Sequence, residues 1–267
     1  MDELNSYLKQ WSLTPDGECI STNTSILLPV RYQHKPALLK IATSTEEQTG
    51  GELMLWWSSE GAAPVLAHGH NALLMERALG ASSLINKVRL NQDDEATRII
   101  CAVVNRLHKV RKNPLPSQLV PLASWFNALE PAAIRHGGVL QQALLVATEL
   151  LNSMQDQVVL HGDIHHGNIL DFGANGWLAI DPKGLLGERG FDFANIFCNP
   201  DFHAATKSGR LERQAAIVAH ATGIEATRLI QWILAYAGLS AAWHFEDGTN
   251  PETALAVASI AWSLLNA

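Results

Sequence analysis

The sequence predicts an α+β fold in two lobes, with an antiparallel sheet in the N-terminal lobe and a mainly helical C-terminal lobe. Three observations predict it. Short strand-like runs split by turn residues crowd the first 78 residues, apolar residues at helical spacing dominate from about Gly80 onward, and 267 residues exceed what one hydrophobic core usually fills. The expected division is residues 1–78 and residues 79–267.

Residues 3–11 read as a short amphipathic helix, followed by strands over 18–21, 25–31 and 36–42. Thr45 is expected to cap a helix reaching about Ser59, with Glu46 and Glu47 in the first turn, where the macrodipole favours acids. Two apolar runs, 65–67 and 72–77, flank His68-Gly69-His70-Asn71 and suit a hairpin turning at Gly69. In the second lobe, residues 93–110 carry Ile99, Ile100, Val103, Val104 and Leu107 at helical spacing, and 131–154 continue in that style beyond a loop at Asn113-Pro114-Leu115-Pro116. Three further helices are expected to begin near Gly209, Glu225 and Pro251, with Trp232, Trp243 and Trp262 on apolar faces; Trp243, beside His244, Glu246 and Asp247, could instead line a cleft. One interruption stands out in this helical lobe. The β-type runs 158–160, 169–172 and 177–180 surround a segment rich in Gly, His and Asp, the kind of loop that carries chemistry.

Composition narrows the function classes. Hydrophobic residues make up 47% and charged residues 17%, which excludes disorder and low-complexity character. The formal charge is −7 and the longest basic run is His108-Lys109-Val110-Arg111-Lys112, so nucleic acid is not an expected partner. Cys19, Cys101 and Cys198 are an odd count without a C-x-x-C pair, as in a reducing cytosol. The N-terminus lacks a basic then apolar leader, and no run of 18 apolar residues appears, so a cytoplasmic protein without membrane spans is expected.

The segment His161-Gly162-Asp163-Ile164-His165-His166-Gly167-Asn168 reads H-x-D-x-x-x-x-N, and thirteen residues after Asn168 an apolar strand ends at Asp181. Phosphoryl-transferring loops use this spacing: the first Asp accepts the proton of the attacking hydroxyl, while the Asn and the second Asp reach magnesium. Magnesium takes oxygen ligands and keeps waters, so one amide, one carboxylate and nucleotide phosphates make a suitable shell. Upstream, Pro36-Ala37-Leu38-Leu39-Lys40 ends a predicted strand in lysine, as in kinases, and a carboxylate on the next helix, Glu47 or its rival Glu52, would orient that lysine toward phosphate. Leu73-Leu74-Met75-Glu76-Arg77-Ala78 leads out of the first lobe where adenine would meet backbone near Glu76 and Ala78, with Met75 lining the base pocket. No Gly-rich phosphate cover is present; Ser21-Thr22-Asn23-Thr24-Ser25 stands in its place, where amides and hydroxyls could meet phosphate. His161, His165 and His166 invite a zinc reading, but zinc needs three or four convergent ligands, so His161 is expected to pack beneath the loop and the other two to shape it. Asp192 is expected to cap a helix or bond back to the loop.

Residues 160–173, residues 176–188, Trp56-Trp57, Gly80, Asp93-Asp94-Glu95-Ala96 and residues 238–243 together resemble the aminoglycoside phosphotransferases. Within them the chain is most similar to the aminoglycoside and hydroxyurea resistance kinases that include the streptomycin 6-phosphotransferases. The resemblance spans nearly the whole chain. It implies a protein-kinase-like bilobal fold, with Asp163 as catalytic base, Asn168 and Asp181 as magnesium ligands, and Lys40 on the phosphates of ATP. It further implies O-phosphorylation of a polyhydroxylated cationic small molecule, with streptomycin at its 6-hydroxyl as the nearest family match. Hydroxyurea or another hydroxylated metabolite is the alternative acceptor. A non-catalytic nucleotide-binding pseudokinase is a third reading, against which the intact Lys40, Asp163, Asn168 and Asp181 speak. Glu188, Asp201 and Asp247 are candidates, on charge and position, for meeting guanidinium groups through paired hydrogen bonds.

Overall fold

A computed structural model describes residues 2–267. The N-terminal part opens with helix α1 (Asp2–Gln10) and the strands β1 (Thr14–Pro15), β2 (Ile20–Ser21), β3 (Ser25–Tyr32) and β4 (Lys35–Ala42). Helix α2 (Thr45–Trp57) and the hairpin β5 (Val65–His68) and β6 (Ala72–Glu76) complete it. The sheet is antiparallel in the order β1-β3-β4-β6-β5, with β2 also paired to β3. The strand expected over 18–21 shrinks to its last two residues, and β1 was not foreseen; both are short exposed edge pieces without the apolar alternation that betrays a strand.

In β4 the period of two puts Ala37, Leu39 and Ile41 into the core while Lys40, opposite Leu27 and Leu73, takes the other face. Helix α2 is capped by Ser44, not Thr45: Ser44 has extended backbone and its hydroxyl accepts from the Glu47 N–H at 3.4 Å, the geometry of an N-cap, so the helix begins at Thr45.

The rest is helical around two small sheets. It comprises α3 (Leu84–Arg89), α4 (Asp93–Leu107), a short β7 (Val120–Pro121), α5 (Leu122–Trp125), α6 (Leu129–His136) and α7 (Val139–Asn152). Then come β8 (Gln157–Leu160), β9 (Ile169–Asp171), β10 (Trp177–Ala179), β11 (Leu185–Glu188), α8 (Phe191–Ala194), α9 (Phe202–Ala205), α10 (Arg210–Thr222), α11 (Ala226–Glu246) and α12 (Glu252–Leu265). Strands β9 and β10 form a hairpin, and β11 pairs antiparallel with β8 and parallel with β7. The helical texture of 131–154 is two helices because Gly137 and Gly138 both take positive φ and break the chain between them.

Two apolar clusters hold the chain. One lies under α1, joining Tyr7 to Val30, Leu39, Ile41 and Leu74 of the sheet. The other, far larger, is the helical core, and it also takes Leu53, Met54 and Trp57 from α2 with Leu73 and Met75 from β6. Helix α2 is thus the joint between the sheet and the helices; each such large side chain, fully buried, contributes roughly 1.5–3 kcal/mol. Central α11 packs on α7 closely enough that a Cβ on Gly238 would lie 2.3 Å from the Ala143 Cβ. Trp232 on this helix is fully buried, as its apolar position implies. Among the described residues no helix is long and apolar enough to cross a membrane.

Candidate active site

The loop after β8 is fixed from beneath by one buried carboxylate. Asp192, at the start of α8, accepts from the backbone N–H of His161 at 2.9 Å and of Gly162 at 2.7 Å, and its Oδ2 lies 2.7 Å from His108 Nε2 on the end of α4. It makes no cap bond to its own helix. Burial pushes this carboxyl up, but the His108 bond and charge, with the amides, outweigh that and hold it below the usual range. His161 is fully buried and burial drives its pKa down, so the ring is neutral. Its Nδ1 accepts from the Asp163 N–H at 3.2 Å, which leaves the proton on Nε2, 2.8 Å from the Ile180 carbonyl. Trp57 of α2 stacks on the ring, with centroids 6.0 Å apart.

On this base Asp163 is aimed outward between two amides. Asn195 Nδ2 donates to its Oδ1 at 2.9 Å, and Asn168 Nδ2 donates to its Oδ2 at 3.2 Å and to its backbone carbonyl at 2.9 Å. Asn199 in turn donates to Asn195 Oδ1 at 2.8 Å and so orients that amide. The backbone carbonyl of Asn168 accepts from the Ile180 N–H at 2.9 Å, which brings Asp181 beside the same loop. Asp181 itself has φ +64°, the left-handed region that costs a residue with a Cβ about 1–2 kcal/mol. Burial raises its carboxyl, but Lys40 and then Lys183 pull it below the usual carboxylate range.

Lys40 forms ion pairs with both Glu47 and Asp181. Glu47 is therefore the lysine's helix partner, and Glu52 lies near His68 instead. Glu47 also takes Lys183 Nζ at 3.1 Å and the Thr24 hydroxyl at 3.2 Å, while Glu46 takes Lys183 at 3.1 Å. Burial lowers the Lys183 pKa, and the carboxylates of Glu47, Asp181 and Glu46 more than reverse this, so it stays charged. In the 21–25 loop, the Thr24 and Ser25 amides are already committed to Thr22 Oγ1, at 3.3 and 3.0 Å.

Helix α2 meets the turn after Asp181 backbone to backbone. A Cβ on Gly50 would lie 2.3 Å from the Pro182 carbonyl oxygen, and one on Gly184, whose φ is +69°, would lie 2.7 Å from Thr49 Cγ2. A glycine inside a helix costs about 1 kcal/mol relative to alanine, so this contact explains a locally unfavourable residue.

Two openings flank the charge cluster. The smaller lies between β4, β6 and α2, lined among others by Lys40, Glu47, Met54, Met75 and Asp181. The larger, about 680 Å³, opens over Asp163 and is lined by the acids Glu46, Glu246 and Asp247, by Lys183, and by the rings of Trp125, Tyr236 and Trp243. Trp125 and Trp243 meet edge to face at 5.2 Å, and Trp243 is among the residues that line this cleft.

Several sequence-based expectations fall apart or together here. Lys40, Glu47, Asp163, Asn168 and Asp181 come together, and Met75 lines the smaller opening. Glu76 ends β6 with its N–H already donated to the Pro64 carbonyl at 2.9 Å and its side chain on Asn175; Ala78 follows in irregular, partly exposed chain. Asp247, at the end of α11, faces the larger cleft. Glu188 does not. It is buried on β11, where its carboxylate takes Arg228 Nε at 2.9 Å and Nη2 at 2.6 Å, Trp232 Nε1 at 2.7 Å and the Gln155 N–H at 2.9 Å. Asp201 stands apart too, capping α9 through the Ala204 N–H at 3.0 Å beside a separate groove with Arg89. Sequence reasoning missed Asn195, His108, Glu46 and Lys183.

Asn168 Oδ1 and the Asp181 carboxylate present oxygen donors alone, a set that suits magnesium with its retained waters. Among the described residues no three His, Cys, Asp or Glu gather as a metal site.

The aminoglycoside/hydroxyurea antibiotic resistance kinase family matches residues 10–248. The streptomycin 3''-kinase of Klebsiella pneumoniae is 49% identical over 246 residues, covering 90% of this chain and 92% of its own. The streptomycin 6-kinase of Streptomyces griseus is 29% identical, covering 94% and 84%, and the hydroxyurea phosphotransferase of Kitasatospora aureofaciens 28%, covering 95% and 76%. Among solved structures, the aminoglycoside phosphotransferase APH(4)-Ia superposes with a TM-score of 0.70 at 13% identity, covering 99% of this chain and 97% of the other. A choline kinase from Cryptosporidium parvum Iowa II gives 0.65 at 14%, covering 98% and 94%. The fold is thus the bilobal protein-kinase-like one.

Proposed function

The chain belongs to the aminoglycoside/hydroxyurea antibiotic resistance kinase family, and from that premise we infer that it transfers the γ-phosphoryl group of ATP to a hydroxyl of streptomycin. The observation that carries this reading is Asp163, oriented by two amides at the mouth of an acid-lined cleft. The position inferred is the 3''-hydroxyl. The 6-hydroxyl expected from sequence corresponds to relatives at 29–30% identity, whereas the 3''-kinase shares 49%.

In this mechanism Asp163 takes the proton of the acceptor hydroxyl, and the two amide donors fix the carboxylate so that a remaining lone pair faces the cleft. Lys40, oriented by Glu47, holds the α and β phosphates. The adenine contacts the chain at Glu76 and Ala78, through the carbonyl at Glu76 because its N–H is already bonded, with Met75 lining the base site. Asn168 and Asp181 would hold magnesium, which would supply neutralisation of phosphate charge. Asp247 and Glu246 receive the guanidinium groups of the acceptor.

The test is to incubate the protein with ATP, magnesium and streptomycin and to locate any added phosphate by mass spectrometry and NMR. Phosphate at the 3''-oxygen is the expected result. Phosphate at the 6-oxygen overturns the position, and unmodified streptomycin overturns the substrate.

A further inference from the structure

We propose that Lys183 is a catalytic residue whose ammonium meets the γ-phosphoryl group as it passes from nucleotide to acceptor. This role rests on the phosphotransfer reading above. The loop from Asp163 to Asn168 contains no lysine or arginine. The cleft it faces presents four carboxylates, those of Glu46, Asp163, Glu246 and Asp247, against one ammonium, that of Lys183. Such a field draws in a cationic acceptor and repels a phosphoryl group.

During transfer the acceptor oxygen bonds to the γ-phosphorus, and the bond from that phosphorus to the β–γ bridging oxygen breaks with its electron pair leaving on ADP. The hydroxyl proton goes to Asp163. The three equatorial oxygens keep their negative charge throughout, and a cation placed on the acceptor side lowers the barrier by meeting it.

Lys183 is placed for that task. Its backbone N–H donates to the His161 carbonyl at 2.7 Å. Its Cβ lies so near Gly162 that a side chain there would begin 3.1 Å from it, so the lysine stem runs beside the residue that precedes Asp163. Its ammonium is held 3.1 Å from both Glu47 and Glu46. The Glu47 side chain is 3% exposed and shared with Lys40, so it tethers Lys183 at the nucleotide end of the cleft; the Glu46 side chain is 51% exposed and exchangeable. For a lysine whose purpose was to bind a cationic acceptor this place would be wrong, because it repels that acceptor.

The sign of that repulsion provides the test. In Lys183→Met, calorimetric titration with streptomycin in the absence of nucleotide is expected to show binding tightened about threefold to tenfold, while kcat falls about a hundredfold; Lys183→Arg is expected to retain kcat within about tenfold. Weakened streptomycin binding, or unchanged kcat in Lys183→Met, overturns the proposal and leaves Lys183 as a tie for Glu46 and Glu47. Should Lys183→Met fail to fold, Lys183→Gln takes its place under the same criteria. Should the wild-type protein leave streptomycin unmodified, the acceptor assignment falls, and Lys183 is decided by acceptor-free ATP hydrolysis: loss in the variant sustains the role, and an equal rate overturns it.

Discussion

Replacing Asp192 by alanine removes the partner of three donors at once: the N–H groups of His161 and Gly162 and the Nε2–H of His108. Each is a hydrogen bond to a buried charge, and such bonds contribute about 1.5–3 kcal/mol. At the lower end of that range the three together amount to roughly 4–5 kcal/mol, similar to the cost of breaking a buried ion pair. For a chain of this size each kcal/mol lowers Tm by about 2–4 °C, so a fall of roughly 10–15 °C is expected in thermal unfolding at pH 7. Activity is expected to fall as well, because Asp163 is two residues beyond His161 and takes its direction from this base. The pH dependence has a definite sign. The folded Asp192 carboxyl is held below its ordinary value, so its contribution is complete above the unfolded pKa of about 3.9 and is lost as pH falls through the folded value. The gap in Tm between the two proteins should therefore narrow below about pH 4. A variant melting within about 3 °C of wild type at pH 7, with unchanged kcat, would refute the view that this carboxylate holds the loop.

Glu188→Ala is expected to destabilise the fold by about 2–4 kcal/mol through the orphaned Arg228, measured by urea unfolding, while the surviving native protein keeps its KM for streptomycin. A raised KM with intact stability would return Glu188 to the acceptor site. Gly50→Ala, which in an open helix would stabilise by about 1 kcal/mol, should here cost about 1–3 kcal/mol and lower kcat/KM for ATP, because α2 must retreat from Pro182 and take Glu47 with it. Gly51→Ala, whose new Cβ meets only His68 at 3.7 Å, is the internal control and should be neutral or stabilising by the same assays. Asp163→Asn should lower kcat by about 10²–10⁴ in a coupled ADP assay while nucleotide binding, followed by calorimetry, persists.

What could be read from the sequence was whatever the chain places by local spacing. The alternation of Ala37, Leu39 and Ile41 put Lys40 on the opposite face of its strand, and the interval from Asp163 to Asn168 brought an amide back to a carboxylate within one loop. The four candidates Glu47, Glu52, Glu188 and Asp201 show where such reading stops. Choosing Glu47 over Glu52 needed the docking of α2 on the Pro182 turn, which depends on a contact between residues far apart in sequence. Glu188 looks like any exposed acid until β11 turns it inward against Arg228 of α11, forty residues on. Asn195 and His108 carry no local signature at all, since each acts through one tertiary hydrogen bond.

The close seat of α2 on residues 182–184 bears on how such a protein is controlled. In regulated kinases the lysine–glutamate pair is made and unmade as the helix swings, and a ligand binds more weakly in proportion to the time spent disassembled. Here packing within the protein keeps the pair standing, with no room at Gly50 for the helix to slide and a second lysine gripping the same glutamate. For this molecule to lose its lysine–glutamate pair, the turn at residues 182–184 would have to move together with the helix.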